Sequence, residues 1–125
     1  MKYDLMIKGG LVVDPSQGIH SRKNVLISQH KVAAILDDIP EGEIQEIIDA
    51  SGHIVTPGLI DMHVHTYRGV SHYGIDADSS CIAKGVTTAV DAGSAGAETF
   101  PGFRYYACAS CQTRIKAYLN ICVLG

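Results

Sequence analysis

Val55-Thr56-Pro57-Gly58-Leu59-Ile60-Asp61-Met62-His63-Val64-His65 is the stretch on which the reading of this chain turns. Pro57 and Gly58 are a breaker, and the short apolar strand after them ends in two histidines two residues apart. Alternate side chains of a strand share a face, so Asp61, His63 and His65 project together while Met62 and Val64 project oppositely. Two neutral imidazoles side by side at a strand end can share one divalent metal, and zinc accepts such nitrogen donors. Two donors do not complete a site, so the rest of the chain has to be read for the others.

Upstream, residues 1–56 read as all-β. Residues 3–7 alternate, Gly9-Gly10 reads as a turn, and residues 11–13 are apolar before the breaker run Asp14-Pro15-Ser16-Gln17-Gly18. Residues 24–28 and 32–36 are β-branched or apolar runs joined by Gln29-His30-Lys31, a hairpin signal. Residues 44–49 alternate again, and Ser51-Gly52 turns into residues 53–55. Short strands with close turns predict a small sandwich or an open barrel, left incomplete within these residues.

Downstream of Pro57 the pattern becomes β-α-β-α-β. The strand at residues 59–65 leads to a helix over about residues 76–84, stopped by Gly85. A β-branched strand at 86–90 comes next, then the loop Asp91-Ala92-Gly93-Ser94-Ala95-Gly96-Ala97. A helix opening near Pro101 runs to about Gln112 and leads to a third strand at 115–123. Near-continuous apolar strands alternating with helices imply a parallel sheet covered by helices, hence an α/β fold. A closed (β/α)8 TIM barrel takes roughly 250 residues, about 31 per unit. The 69 residues from Pro57 onward supply about two units and a strand. Two domains are therefore expected: 1–56, an incomplete β-sandwich-like region, and 57–125, strands one to three of a truncated barrel.

Composition narrows the classes of function. The 125 residues are 46% hydrophobic and 18% charged, with a net charge of −3 and scattered Lys and Arg. Nothing there favours nucleic acid or an anionic membrane as a partner. The charged start Met1-Lys2-Tyr3-Asp4 stands where a secretory signal needs an apolar core, which predicts a cytoplasmic protein. Cys81, Cys108, Cys111 and Cys122 then read as reduced thiols. Cys108-Ala109-Ser110-Cys111 matches C-x-x-C in form only. With no second pair and no adjacent His, it reads as two small, partly buried residues rather than as a redox or zinc motif.

A short β region, then P-G-L-I-D-x-H-x-H, then G-V-T-T ahead of an Asp- and Gly-rich loop, resembles the amidohydrolase superfamily of metal-dependent hydrolases. Its closest likeness is to the dihydroorotase-like and amidohydrolase/deacetylase branch. The matching residues are Pro57, Gly58, Ile60, Asp61, His63 and His65, then Tyr73 to Asp78, Gly85 to Thr88, Asp91 to Ala97 and Thr99 to Arg104. The resemblance implies a TIM barrel carrying one or two divalent metal ions, zinc foremost, beside a small β-sandwich. It implies His63 and His65 as metal ligands. Further ligands and the general base would lie on strands four, five, six and eight, and no residue of this chain matches those positions. His20, His30, His53 and His72 fall in the β region or the first loop.

Other positions carry two readings. Asp61, one step deeper on the His63–His65 face, would orient a ligand imidazole or make a structural hydrogen bond. Asp91 would support the site or cap the next loop, and capping is favoured. Gly93, Ser94 and Gly96 would admit a substrate close to the backbone or simply let the chain turn; the loop lacks the spacing and Lys of a phosphate-binding P-loop. Dihydroorotases resemble one another in placing an Arg two residues after the second His. Here Tyr67 stands there and Arg68 comes one residue later, so both are candidate substrate-loop residues and the departure speaks against dihydroorotate.

The expected function is hydrolysis of a small-molecule amide, cyclic amide or ester by metal-activated water, with this chain as an amino-terminal fragment inactive alone. The alternative is a non-catalytic remnant or a β-rich binding or assembly module. An open apolar sheet edge further predicts poor solubility or a homo-oligomer.

Overall fold

A computed structural model of the chain describes residues 2–125, which form two compact units, 2–57 and 58–125. The first is built on one long strand, β1 (Lys2–Asp14). β2 (Ile19–Ser28) pairs with it antiparallel and β3 (Lys31–Leu36) pairs with β2, while β4 (Glu43–Asp49) and the two-residue β5 (Ile54–Val55) lie parallel to β1. The order is β3-β2-β1-β4, with β5 beside the distal half of β1. Tyr3, Met6 and Leu26 form one buried cluster, with Ala34 and Ile44 packed against it.

All its strands pair through β1 or β2 into one mixed sheet. One expectation is corrected here: Gly9-Gly10 is no turn. β1 runs straight through it, with a register shift between Ile7 and Gly10. Gly9 takes φ +70° there, and its N–H donates to the buried Asn24 Oδ1 at 3.0 Å, so the bulged Gly9 donor is paired. The hairpin at Gln29-His30 does form. Both residues have positive φ, 52° and 61°, the backbone of a two-residue turn between right-twisted strands.

The second unit is a three-stranded parallel sheet, β6-β7-β8, made of β6 (Leu59–Val64), β7 (Val86–Asp91) and β8 (Arg114–Ala117). Val64, Cys81 and Ala89 bury one cluster; Tyr67, Ala95 and Phe103 bury another, ringed by Phe100, Ala107, Cys108 and Ile115. No helix among the described residues is long and apolar enough to cross a membrane.

The connections are shorter than the sequence suggests. The first is a single turn, α1 (Ala77–Ser80), capped by the Asp76 carboxyl on Ser79 N–H at 2.9 Å. A 3-10 turn (Ile82–Lys84) continues from it and ends at Gly85 with φ +88°, where a residue without Cβ fits at no steric penalty. The second, α2 (Phe100–Phe103), runs into a π-helical turn (Arg104–Cys108) and stops short of Gln112. The cause is Asp78. Its carboxyl takes the N–H of Gln112 and of Thr113 and the Thr113 hydroxyl, all within 3.0 Å, drawing the chain out of the helix and into β8.

β8 itself covers only the start of the expected third strand. Asn120 breaks the run. Its N–H donates to the Ala95 carbonyl and its Nδ2 to the Gly93 carbonyl, folding residues 118–125 back onto the loop after β7.

The same N–H donors hold the Asp78 carboxyl below its ordinary value of 3.8. A carboxyl whose native pKa is depressed contributes stability that is present above the ordinary value and lost as pH falls through the native one. Thermal melts of the chain across pH 2–6 should therefore fall more steeply below about pH 4 for the wild type than for Asp78→Asn. Parallel curves for the two proteins would remove Asp78 from this role.

Candidate metal centre

The parallel sheet places the ends of β6 and β7 side by side. Val64 sits opposite Asp91, and Ala92 N–H donates to the Val64 carbonyl at 2.8 Å. His63 lies on β6 and His65 just past it, with the buried Val64 between them. Their rings meet edge to face, centroids 5.5 Å apart. His63 is exposed, whereas His65 is half-buried.

The surroundings of His65 are built from three segments. Its Nδ1 lies 2.9 Å from the Ser94 hydroxyl, and its carbonyl accepts Ile75 N–H at 2.8 Å. The Tyr73 ring stands 5.7 Å from the imidazole and stacks on His72 at 3.7 Å. A cavity of about 350 Å³ opens here, with His65, His72, Tyr73, Gly93, Ser94 and Asn120 on its walls.

Asp91 holds this end of the sheet together from below. It is fully buried. One carboxyl oxygen accepts Thr66 N–H (2.7 Å) and the Thr66 hydroxyl (3.1 Å), the other Ser94 N–H (2.7 Å) and Gly93 N–H (3.1 Å). It therefore ties both strand-end loops to one group.

The residues singled out from the sequence separate into two groups. His63, His65, Gly93 and Ser94 come together at the strand ends. Tyr67 and Arg68 do not join them. Tyr67 is buried, its ring edge-on to Phe103 at 5.2 Å and its hydroxyl donating to the Thr99 carbonyl at 3.3 Å. Arg68 points to solvent and pairs with Asp76 at 3.1 Å. The Asp61 carboxyl accepts the His63 backbone N–H at 3.0 Å. Sequence reasoning passed over Tyr73, His72 and Asn120 as site residues, and the signal for Asn120 was a polar residue inside an otherwise apolar run.

Among the described residues, no group of three or more His, Cys, Asp or Glu side chains is arranged to hold a metal. The two imidazoles suit a divalent ion in kind and supply part of a coordination shell. Cys108 and Cys111 offer nothing in their place. Burial raises both thiols above their ordinary range, Cys111 donates toward the carbonyls of Ala107 and Thr113, and all four cysteines are free.

The amidohydrolase family model matches residues 46–114, from within β4 to the start of β8. A deacetylase of Agrobacterium fabrum is 40% identical over 95 residues, which is 76% of this chain and 23% of that protein. The crystal structure of a dihydroorotase superposes with a TM-score of 0.77 at 37% identity, over 94% of this chain and 31% of the other. That of N-acyl-D-glutamate deacylase from Bordetella bronchiseptica, complexed with zinc and a phosphonate inhibitor, superposes with a TM-score of 0.57 at 26% identity, over 75% of this chain and 19% of the other. The chain thus spans less than a third of the length of each. With more than half of its residues matched, and the matched stretch holding the His63–His65 strand and the loop that faces it, this chain belongs to the amidohydrolase family.

Proposed function

We propose that the chain is the amino-terminal part of a metal-dependent hydrolase acting on a small-molecule amide, cyclic amide or ester. The observation that carries this reading is the pair His63 and His65 at the carboxyl end of a parallel strand, with His65 on the wall of a cavity of about 350 Å³. In open and closed parallel α/β sheets, that end is where ligands and chemistry gather. The family match and the zinc and phosphonate in the related deacylase support it. In this reading β6, β7 and β8 are the first three strands of a TIM barrel, and residues 57–125 are its beginning.

His63 and His65 would hold the ion, with zinc suited to the imidazole donors. A bound divalent ion supplies Lewis acidity toward the substrate carbonyl and an activated water. The chain's own part is to present both imidazoles, to keep Gly93 and Ser94 fixed on Asp91, and to wall the cavity with Tyr73, His72 and Asn120. No Lys or Arg lines the cavity, and Arg68 is engaged with Asp76, which favours an acyl amide or ester over a substrate gripped by its carboxylate.

Two histidines leave the remaining ligands and the general base to be supplied from outside these residues. The 125-residue chain should therefore bind zinc weakly and hydrolyse no panel ester or amide faster than its His63→Ala/His65→Ala variant. Reading the coding frame beyond codon 125 tests the larger claim. Further His, Lys and Asp codons at strand ends support the hydrolase, and a stop codon overturns it.

The alternative is a remnant that survives as an assembly module. A specific observation favours giving it a test: Leu59, Ile60 and Met62 of the edge strand β6 are 51%, 64% and 69% exposed. An apolar edge of that kind pairs readily with another chain. Size-exclusion chromatography should then find the isolated chain as an oligomer, and a monodisperse monomer would count against self-association.

A further inference from the structure

We infer that Ser94 is a positioning residue for the metal centre: its hydroxyl oxygen accepts the His65 Nδ1–H and so leaves Nε2 for the ion. The inference rests on His65 being a metal ligand, and it concerns which nitrogen binds and what selects it.

Ser94 Oγ lies 2.9 Å from His65 Nδ1. Only one ring nitrogen of a neutral imidazole carries a proton, and the partner of that nitrogen decides which one remains free to coordinate. A hydroxyl at Nδ1 fits either ring tautomer; with Nε2 given to an ion, Nδ1 carries the proton and the Ser94 hydroxyl oxygen accepts it. Ser94 is 8% exposed, so water competes poorly for its hydroxyl.

The contact is fixed at both ends by one group. Asp91 accepts the Ser94 N–H on one oxygen and the N–H of Thr66, the residue after His65, on the other, each at 2.7 Å. The loop bearing the hydroxyl and the strand end bearing the imidazole are thus referred to the same buried carboxyl. The His65 carbonyl is held separately by Ile75 N–H. Ligand histidines generally give their second ring nitrogen to such a partner, and loss of the partner typically lowers metal affinity 10–100-fold. Asp61 does not do this for His63: its carboxyl takes the His63 main-chain N–H instead.

The test uses the 125-residue chain, metal-free and at a pH where imidazoles are neutral. Long-range nitrogen–proton correlation spectra report the tautomer of each histidine ring. His65 should be protonated at Nδ1 in the wild type and should move toward the Nε2–H form in Ser94→Ala, while the amide signals of Gly93 and Ala95 stay in place. Zinc affinity should fall roughly 10–100-fold in Ser94→Ala and recover in Ser94→Thr. Asp61→Asn should leave the His65 tautomer unchanged. An Nε2–H tautomer in the wild-type chain overturns the inference before any variant is made, as does a tautomer indifferent to Ser94→Ala. Zinc binding indifferent to His65→Ala is a different result, which removes the ligand assignment itself.

Discussion

Asp91→Ala should lower the stability of the second unit by on the order of 3–5 kcal/mol, read as the shift in a urea unfolding curve. The carboxyl is fully buried and takes four hydrogen bonds, three from main-chain N–H groups and one from the Thr66 hydroxyl. Alanine leaves all four donors without an acceptor, and a buried unsatisfied donor costs about 1–3 kcal/mol. Water entering the space left by the carboxyl offsets part of the sum, which sets the range above. Asp91→Asn keeps one acceptor oxygen and sets an NH2 group against two N–H donors, so it should fall between alanine and wild type. Small domains hold only about 5–15 kcal/mol in total. A change below about 1 kcal/mol for Asp91→Ala would mean that the two strand-end loops are held by something else.

The second large effect concerns metal. His65→Ala should reduce zinc binding by the chain to the level of the double variant, and His63→Ala should weaken it severely. With two protein donors in hand, removing one leaves a single imidazole, which does not hold zinc at micromolar concentration against water. His72→Ala, on the same cavity but stacked on Tyr73, should leave binding intact. Titration calorimetry of the wild type and these variants gives the comparison. Equal binding by wild type and His65→Ala would remove this residue from the centre.

What could be read from the sequence depended on how local the cause was. The β6 strand comes from the apolar run after Pro57-Gly58, and the hairpin at Gln29-His30 comes from two short β runs with a tight gap. Local pattern failed where a distant side chain decides. Gly9-Gly10 looks like a turn until Asn24, fifteen residues away, takes the bulge N–H. The second helix looks long until Asp78 captures the N–H groups of Gln112 and Thr113. Residues 115–123 look like one apolar strand until Asn120 bonds to the loop at Gly93 and Ala95.

The site divides in the same way. The two histidines are close together in the chain and legible as a pair. The His65–Ser94 contact joins residues 29 apart and exists only because β6 and β7 are parallel neighbours with Val64 opposite Asp91. Tyr67 was misplaced for a simpler reason. Beyond the end of β6 the strand alternation no longer governs which way a side chain points, and an aromatic ring beside Phe103 gains more from burial than from solvent.

X-ray absorption at the zinc edge tests the central assignment most directly. Zinc added to the wild-type chain should show a nitrogen or oxygen shell at about 2.0–2.1 Å with imidazole scattering from His63 and His65, and the His63→Ala/His65→Ala variant should lose that scattering. A sulfur shell near about 2.3 Å, or an unchanged spectrum in the double variant, would place the metal on the cysteines or elsewhere and contradict the account.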